Sequence, residues 1–296
     1  MASMILPLTH GPNRVLVATS DLHVGKTSLG QVVGMRAEIE ARAVREGFFV
    51  EALLVLGDIG ESLSDIELCL GALSGLAPVQ AVIVGNHDLF DTERLGSSLT
   101  RYREILPRRI ANLGWTWGED ARIVIPGSST AIVMTTAWRD PSRLPTGELV
   151  DRKERNALLA ELPDGKWVTP DVRDHELADK QLKRFTTALG RVCPTCEHLV
   201  IASHFPMFQE LVRPDDSVTA ADLFFYSPRF GENLVSNLSQ AHNRLSKITA
   251  ISGHIHAPAN LILRRPLNTS SAAITIQAHS IDSKYGQPGY VIVPVS

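Results

Sequence analysis

Short runs of Val, Ile, Leu and Ala recur along the chain, separated by longer stretches in which apolar residues return every three or four positions. Buried strands alternating with amphipathic helices produce that pattern, so it predicts an α/β protein. Val15–Thr19, Ala52–Leu56 and Gln80–Val84 are the first expected strands. Between the first two, Val32, Met35, Ile39 and Ala43 share one helical face. Ser28-Leu-Gly-Gln31 has the form of a capping box at the start of this helix, and Gly47 supplies its stop. Further helices are expected near Asp65–Leu76 and around Ser98–Leu113. Such a βαβαβ opening is most simply a parallel sheet with right-handed crossovers.

The middle of the chain changes character. Arg122–Pro126 and Ala131–Thr136 read as strands that extend the sheet or form a second one. From Trp138 to about Lys180 the chain is polar and charged, with one helical stretch near Arg152–Leu162. This segment, 138–180, is too long for a turn and reads either as an insertion or lid beside a site or as a plain surface excursion. A helix over Lys180–Leu189 follows, then strands at His198–Ala202, Ile248–Ile251, Ala273–Gln277 and Tyr290–Val293.

Composition narrows the picture only a little. With 296 residues, 44% of them hydrophobic, the chain can bury a substantial core. A net charge of −3 argues against whole-surface attraction to nucleic acid or anionic membrane. No clear basic, aromatic-interleaved track for nucleic acid is visible. No apolar run reaches membrane-spanning length, and the N-terminus lacks the basic region of a signal peptide. A cytoplasmic protein is therefore expected, with its oligomeric state left open. Cys193-Pro-Thr-Cys196 has the CxxC form, but Cys69 alone cannot complete a zinc site, so the pair reads as two thiols between a helix and a strand.

The strand ends carry the chemistry. Open α/β sheets build their sites at the carboxyl ends of strands, and there the chain places Asp21-Leu-His23, Gly57-Asp58, Gly85-Asn86-His87-Asp88, Ser203-His204 and Gly253-His254-Ile-His256. Each is weak alone, since Gly-Asp after a strand is usually a turn. As a set they point to two divalent cations held by imidazole, carboxylate and amide oxygen. That donor mixture suits manganese first, with iron or zinc as alternatives, and not a thiolate zinc site. Asp58 is central enough to bridge, and cations about 3.5–4 Å apart can clamp a phosphoryl group. Gly57, Gly85 and Gly253 are expected to let the backbone turn sharply beside the ligands.

The ordered series DLH, GD, GNHD, SH and GHIH resembles the calcineurin-like metallophosphoesterase superfamily, over nearly the whole chain from Asp21 to His256. The resemblance implies one domain over residues 1–296, with an insertion or lid at about 138–180. It also implies a four-layer α/β/β/α sandwich of two mixed sheets flanked by helices, with a dinuclear metal site at the strand carboxyl ends. By motif, Asp21, His23 and His256 would hold one metal and Asn86, His204 and His254 the other, with Asp58 bridging. His87 would be the general acid or a charge stabiliser, hydrogen-bonded by Asp88, while a metal-bridging hydroxide attacks phosphorus. Asp88 could also serve as a helix N-cap.

The superfamily includes phosphoprotein phosphatases, nucleotidases, cyclic-nucleotide phosphodiesterases and nucleases. Gly57-Asp-Ile-Gly-Glu61 departs from the GDxVDRG form of the phosphoprotein phosphatases, and Val84 stands where that group has arginine. The GNHD and GHIH forms look more like the small phosphodiesterase-type branch. A phosphodiester substrate is therefore favoured, with a phosphomonoesterase on nucleotides or proteins, a nuclease, or a non-catalytic binding protein as alternatives. Substrate contacts are sought at Trp138-Arg-Asp140, Phe205, His279-Ser280 and Phe224-Phe-Tyr226, an aromatic cluster that could stack a base or serve as packing.

One competing motif fails. Gly25-Lys26-Thr27-Ser28 has the ending of a P-loop, yet the first glycine of that motif would fall on Ser20, and Asp21 would turn negative charge toward phosphate. Lys26 is left as a solvated lysine or a phosphate contact at the loop edge.

Overall fold

β1 (Asn13–Ser20), β2 (Phe48–Leu56) and β3 (Val79–Ile83) are parallel neighbours. They are connected through α1 (Leu29–Glu46) and α2 (Leu63–Leu73) in the computed structural model. That structure describes residues 13–295, apart from 95, 122, 145, 147, 170, 213–218, 241–243, 267–272, 282 and 284–286. The capping box before α1 forms, with the Ser28 N–H donating to Gln31 Oε1 at 2.9 Å. Gly47 ends the helix in the left-handed region, at φ 68°.

The expected helix around Ser98–Leu113 is broken into α3 (Ser98–Thr100), a π-helical turn over Arg101–Ile105, and α4 (Leu106–Asn112). It leads to β4 (Thr116–Trp117), parallel to β3. β5 (Ile123–Val124) and β6 (Thr130–Thr135) then form an antiparallel pair. Next come α5 (Arg152–Glu161), α6 (Pro163–Trp167) and α7 (Asp174–Val192). The chain continues through β7 (His198–Ser203), α8 (Pro228–Gln240), β8 (Lys247–Ser252), β9 (Ala259–Pro266), β10 (Ala273–Ser280) and β11 (Gly289–Pro294). The sequence pattern marked neither α8 nor β9. β9 is an edge strand, antiparallel to β10, and its pattern ends in Arg264-Arg265-Pro266.

Two mixed sheets result, of order β11-β1-β2-β3-β4 and β5-β6-β7-β8-β10-β9. Alternation along the strands divides the core between them. Leu16, Ala18, Leu54, Leu56 and Ile83 of the first sheet pack against Ile132, Met134, Val200, Ala202 and Ile251 of the second. Val17, Leu53, Val55 and Val82 point the other way, into a cluster with Val32, Met35, Ile39, Ile66 and Leu70 of α1 and α2. Val133, Leu199 and Ile201 join the same apolar network as Phe185 and Leu189 of α7 and Leu234 of α8. Leu54 is fully buried between the sheets, and its truncation to Ala would cost about 2–5 kcal/mol.

Segment 138–180 is tied to the body at Trp138 and around α6, whereas α5 buries none of its residues. Trp138 is fully buried, its N–H donates to Gln181 Oε1 at 2.8 Å, and its indole N–H donates to Asp174 Oδ1 at 2.7 Å. The backbone N–H groups of Ser98 and Thr169 donate to one another's hydroxyls at 2.7 and 2.9 Å, and the Asp91 N–H donates to the Trp167 carbonyl at 3.0 Å. Cys193 and Cys196 are free and buried in the turn between α7 and β7, and burial pushes both thiols above their ordinary pKa. Among the described residues, no helix is long and apolar enough to cross a membrane.

Candidate metal centre

The loops leaving β1 and β2 are stitched together by their backbones. The N–H groups of Asp21, His23 and Val24 donate to the carbonyls of Gly57, Asp58 and Ile59 at 3.0, 2.9 and 2.8 Å. From the second sheet, the Gly253 N–H reaches the His204 carbonyl at 3.1 Å, and the His254 N–H donates to the Asp21 carboxylate at 2.9 Å. Strand ends of both sheets thus meet at one place, bringing together residues as distant in sequence as Asp21 and His256.

The backbone pays for this convergence at the candidate ligands themselves. Among the described residues, seven non-glycine residues have positive φ, and five of them are Asp21, His23, Asp58, His254 and His256. Each such conformation costs about 1–3 kcal/mol and persists only where the surroundings impose it. The glycines act differently from expectation. Gly57 does have positive φ, at 90°, whereas Gly85 and Gly253 are needed for space. A Cβ on Gly85 would lie 2.1 Å from Asp58 Oδ1, and one on Gly253 would lie 2.6 Å from Asp21 Oδ2.

Two groups of donors gather the expected ligands, and His23, Asp58 and His87 come together as a third. In the first, His256 Nε2 lies 3.5 Å from Asp21 Oδ1 and 3.4 Å from His23 Nε2. In the second, His204 Nε2 lies 3.1 Å from Asn86 Oδ1 and 3.5 Å from Asp58 Oδ1. His254 also belongs to this second group, its ligand atom lying within 4.8 Å of those of Asp58 and His204. Asp58 faces both groups, Oδ1 toward His204 and Oδ2 toward His23 Nε2 at 3.8 Å.

Hydrogen bonds on the far sides of the imidazoles decide what the near sides offer. His204 Nδ1 donates to the Leu56 carbonyl at 2.8 Å, and His256 Nδ1 donates to the Ser283 carbonyl at 2.6 Å. In the neutral rings the Nε2 atoms therefore present lone pairs, that of His204 toward Asn86 Oδ1 and that of His256 toward Asp21 Oδ1. The buried His254 Nε2 has no hydrogen-bond partner among the described residues. Acceptors facing acceptors in a buried space are unfavourable until a cation lies between them.

The electrostatics agree. Burial, then the neighbouring His87 and His256, push His23 down to about 2. Burial pushes His204 down to about 4, and burial with His204 and Arg139 holds His254 well below its ordinary value. All three stay neutral, the form that can ligate a metal. Burial, with the charges of Asp21 and Asp88, raises Asp58 well above the carboxylate range. Divalent cations fit this donor set, and the buried Asp and His groups could hold them.

Asp88 is placed differently from expectation. Its Oδ1 accepts the N–H groups of Ile59 and Gly60 at 2.8 and 3.0 Å, and its Oδ2 accepts that of Gly85 at 2.8 Å. It ties the second loop to the third and does not bond the His87 imidazole, nor does it cap a helix, since Asn86 holds the N-cap of the turn over His87–Leu89. The partner of His87 Nδ1 is Glu61, whose Oε1 lies 3.0 Å away. Burial lowers the His87 pKa, and the Glu61 bond opposes that. Against its own burial, Lys26 and His87 hold Glu61 below its ordinary value. Lys26 is thus paired with Glu61 at the loop edge. Buried Arg101 fixes this corner by donating to the carbonyls of Asp88 and Glu61 at 2.7 and 2.8 Å.

A cavity of about 190 Å³ opens onto the site, lined by Asp58, Asn86, His87, His254 and His256 on one side. Arg139, Leu162, Pro163, Asp164, Phe224 and Phe225 form the rest of its wall. Of Trp138-Arg139-Asp140, only Arg139 reaches it. Phe205 is fully buried and packs its ring 4.3 Å from that of His254, backing a candidate ligand without touching the cavity. His279 pairs along β10 with Ile251 and Asn260 and lies outside the lining. Sequence reasoning passed over Glu61, Arg101 and Asp164. Asp164, buried on α6, accepts from Asn86 Nδ2 at 2.8 Å and pairs with buried Arg139.

No protein-family model matches the sequence, and no curated protein matches it. Among solved structures, the anchor GAP50 of the inner membrane complex of Plasmodium is 9% identical, with a TM-score of 0.39, and covers 95% of this chain and 80% of its own. That likeness is too slight to carry an argument. The chain is similar throughout to the phosphopantetheinyl hydrolase of Mycobacterium tuberculosis, at 20% identity and a TM-score of 0.65, covering 94% of this chain and 91% of that one. The likeness is one of fold.

Proposed function

We propose that the chain is a metal-dependent phosphoesterase of the calcineurin-like type, acting as one catalytic unit on a phosphodiester. The observation that carries this reading is the pair of lone-pair clusters joined by Asp58, with His204 Nε2 aimed at Asn86 Oδ1 across 3.1 Å. Asp21, His23 and His256 would hold one divalent cation, and Asn86, His204 and His254 the other, with Asp58 placed to serve both. Manganese suits the mixed oxygen and imidazole donors, with iron or zinc as alternatives. Two such cations supply Lewis acidity toward phosphoryl oxygens and an activated water near neutral pH.

The chain's own residues do the rest. His87 lines the cavity with Nδ1 donating to Glu61, so that when the ring is protonated its Nε2–H can pass a proton to the departing ester oxygen and leave the neutral imidazole. Leu162, Pro163, Phe224 and Phe225 give the cavity an apolar wall that excludes water from the ester arm. Arg139 also lines the cavity, but Asp164 and Asp174 engage its charge, and Lys26 is engaged by Glu61. A singly charged diester needs less cationic help from side chains than a monoester dianion, which favours the diester.

The test is kinetic. After chelation and readdition of Mn²⁺, hydrolysis of an aryl phosphodiester should return and exceed that of the matching monoester. A phosphopantetheinyl ester is the first natural substrate to try, because the neighbour of similar fold is named for one. A folded protein that acquires no metal and leaves both aryl esters intact would overturn the proposal.

A further inference from the structure

An asparagine is an ambiguous metal ligand. Its amide carries an acceptor oxygen on one side and two N–H donors on the other, and its own chemistry does not decide which side faces inward. At Asn86 the decision comes from outside the strand-end loops. Asp164 Oδ1 accepts from Asn86 Nδ2 at 2.8 Å, and an ionised carboxylate can only accept. The amide nitrogen is thereby turned away, and Oδ1 is left aimed at His204 Nε2, 3.1 Å distant.

Asp164 is itself fixed. Its other oxygen pairs with Arg139 Nη1, while Arg139 Nε lies 3.6 Å from Asp174 Oδ1. Asn86, Asp164 and Arg139 are only 4%, 4% and 2% exposed, so these contacts are largely shielded from solvent. Pro163 opens α6, and a Cβ on Gly165 would lie 2.1 Å from the Leu159 carbonyl, so α5 and α6 meet in a turn that holds Asp164 in place. The bonds from Ser98 and Asp91 to Thr169 and Trp167 lock α6 against the loop that follows Asn86.

We infer that Asp164 is a positioning residue for the second cation, and that segment 138–180 completes the metal centre instead of merely covering it. The inference rests on the two-cation reading above. Its rival is a purely structural role, in which Asp164 serves only to neutralise Arg139.

A swap separates the two. In D164N the introduced amide must turn its oxygen to Arg139, so its N–H group meets Asn86. Asn86 then turns over and offers N–H to the second cation. In the double variant N86D/D164N, the introduced carboxylate accepts from the introduced amide and keeps an oxygen for the cation. A structural role predicts no such rescue, since the loss of charge beside Arg139 is the same in both.

Mn²⁺ bound per chain is counted after chelation, reloading and desalting, alongside a calorimetric titration with Mn²⁺. The wild type should hold about two ions. D164N should hold about one, with the second affinity weakened about 10–100-fold, and the double variant should regain it. Should D164N fail to fold, R139M/D164L replaces the buried ion pair with apolar side chains, leaves Asn86 without its acceptor, and should show the same loss. Two ions retained by D164N or by R139M/D164L, or a double variant as deficient as D164N, would overturn the inference. A wild type that binds no Mn²⁺ overturns the two-cation reading and the inference with it, whereas two ions in the wild type leave the variants to judge the inference alone.

Discussion

The two donor groups share main-chain support, as at His204 Nδ1 on the Leu56 carbonyl, but differ at Asn86. Around Asp21, His23 and His256 the fixing partners are main-chain groups: the His254 N–H on the Asp21 carboxylate, the Asp58 carbonyl on the His23 N–H, and the Ser283 carbonyl on His256 Nδ1. Around Asn86 the fixing partner is a side chain, Asp164, held by another side chain, Arg139, from a segment more than fifty residues along the chain. Backbone contacts survive most substitutions, whereas side-chain contacts can be removed one at a time. Asn86 is therefore the tunable ligand of the site.

The sharpest way to break the comparison is at Asp58, which both groups share. Asp58→Ala should abolish retention of both Mn²⁺ ions and lower turnover by about 10³-fold or more. One ion retained at full affinity would show that the groups are independent. His87→Ala touches neither group as a ligand. Turnover should fall by about 10²–10³-fold with Mn²⁺ content unchanged, and a loss of metal would move His87 into the ligand set.

Proton release sharpens the picture further. Burial and the charge of Asp21 raise Asp58, so the metal-free protein keeps a proton there to higher pH than an unperturbed carboxylate would. The imidazoles of His23, His204 and His254 are already neutral. Mn²⁺ uptake should therefore expel a proton from Asp58, and apparent affinity should rise with pH until Asp58 ionises unaided, then level off. Titration in two buffers of different ionisation heat measures that proton, and uptake without release would contradict the assignment.

The smallest effect lies outside both groups. His198 is fully buried on β7 against Thr249 Oγ1, and burial pushes it down to about 4. Its folded pKa is depressed, so the unfolded chain takes up a proton that the native state refuses. Stability from this residue is present above about 6.5, its ordinary value, and is lost as pH falls toward about 4. His198→Gln should flatten the acid limb of a Tm-versus-pH curve, and an unchanged limb would exclude His198 as its source.

What the sequence revealed follows the same division. Asp21, His23, Asp58, His204, His254 and His256 each end an apolar run, and parallel strands bring such ends to common edges, so their meeting could be read in advance. Asp88 was misplaced because adjacency to His87 suggested contact, yet the short turn over His87–Leu89 sends its carboxylate to the N–H groups of Ile59, Gly60 and Gly85. Arg139 follows β6 as the other candidates follow their strands, and that was a usable signal. Asp164 had none, since a Pro-Asp-Gly run in a polar stretch looks like any surface turn. Its importance exists only in tertiary contact.

The most direct measurement is the dependence of aryl phosphodiester hydrolysis on bound Mn²⁺, followed in one preparation from metal-free to fully loaded. Turnover should be absent without metal and should rise in step with occupancy to a maximum near two ions per chain. Full turnover in the chelated protein, or none in protein shown to be folded and loaded, would contradict the assignment.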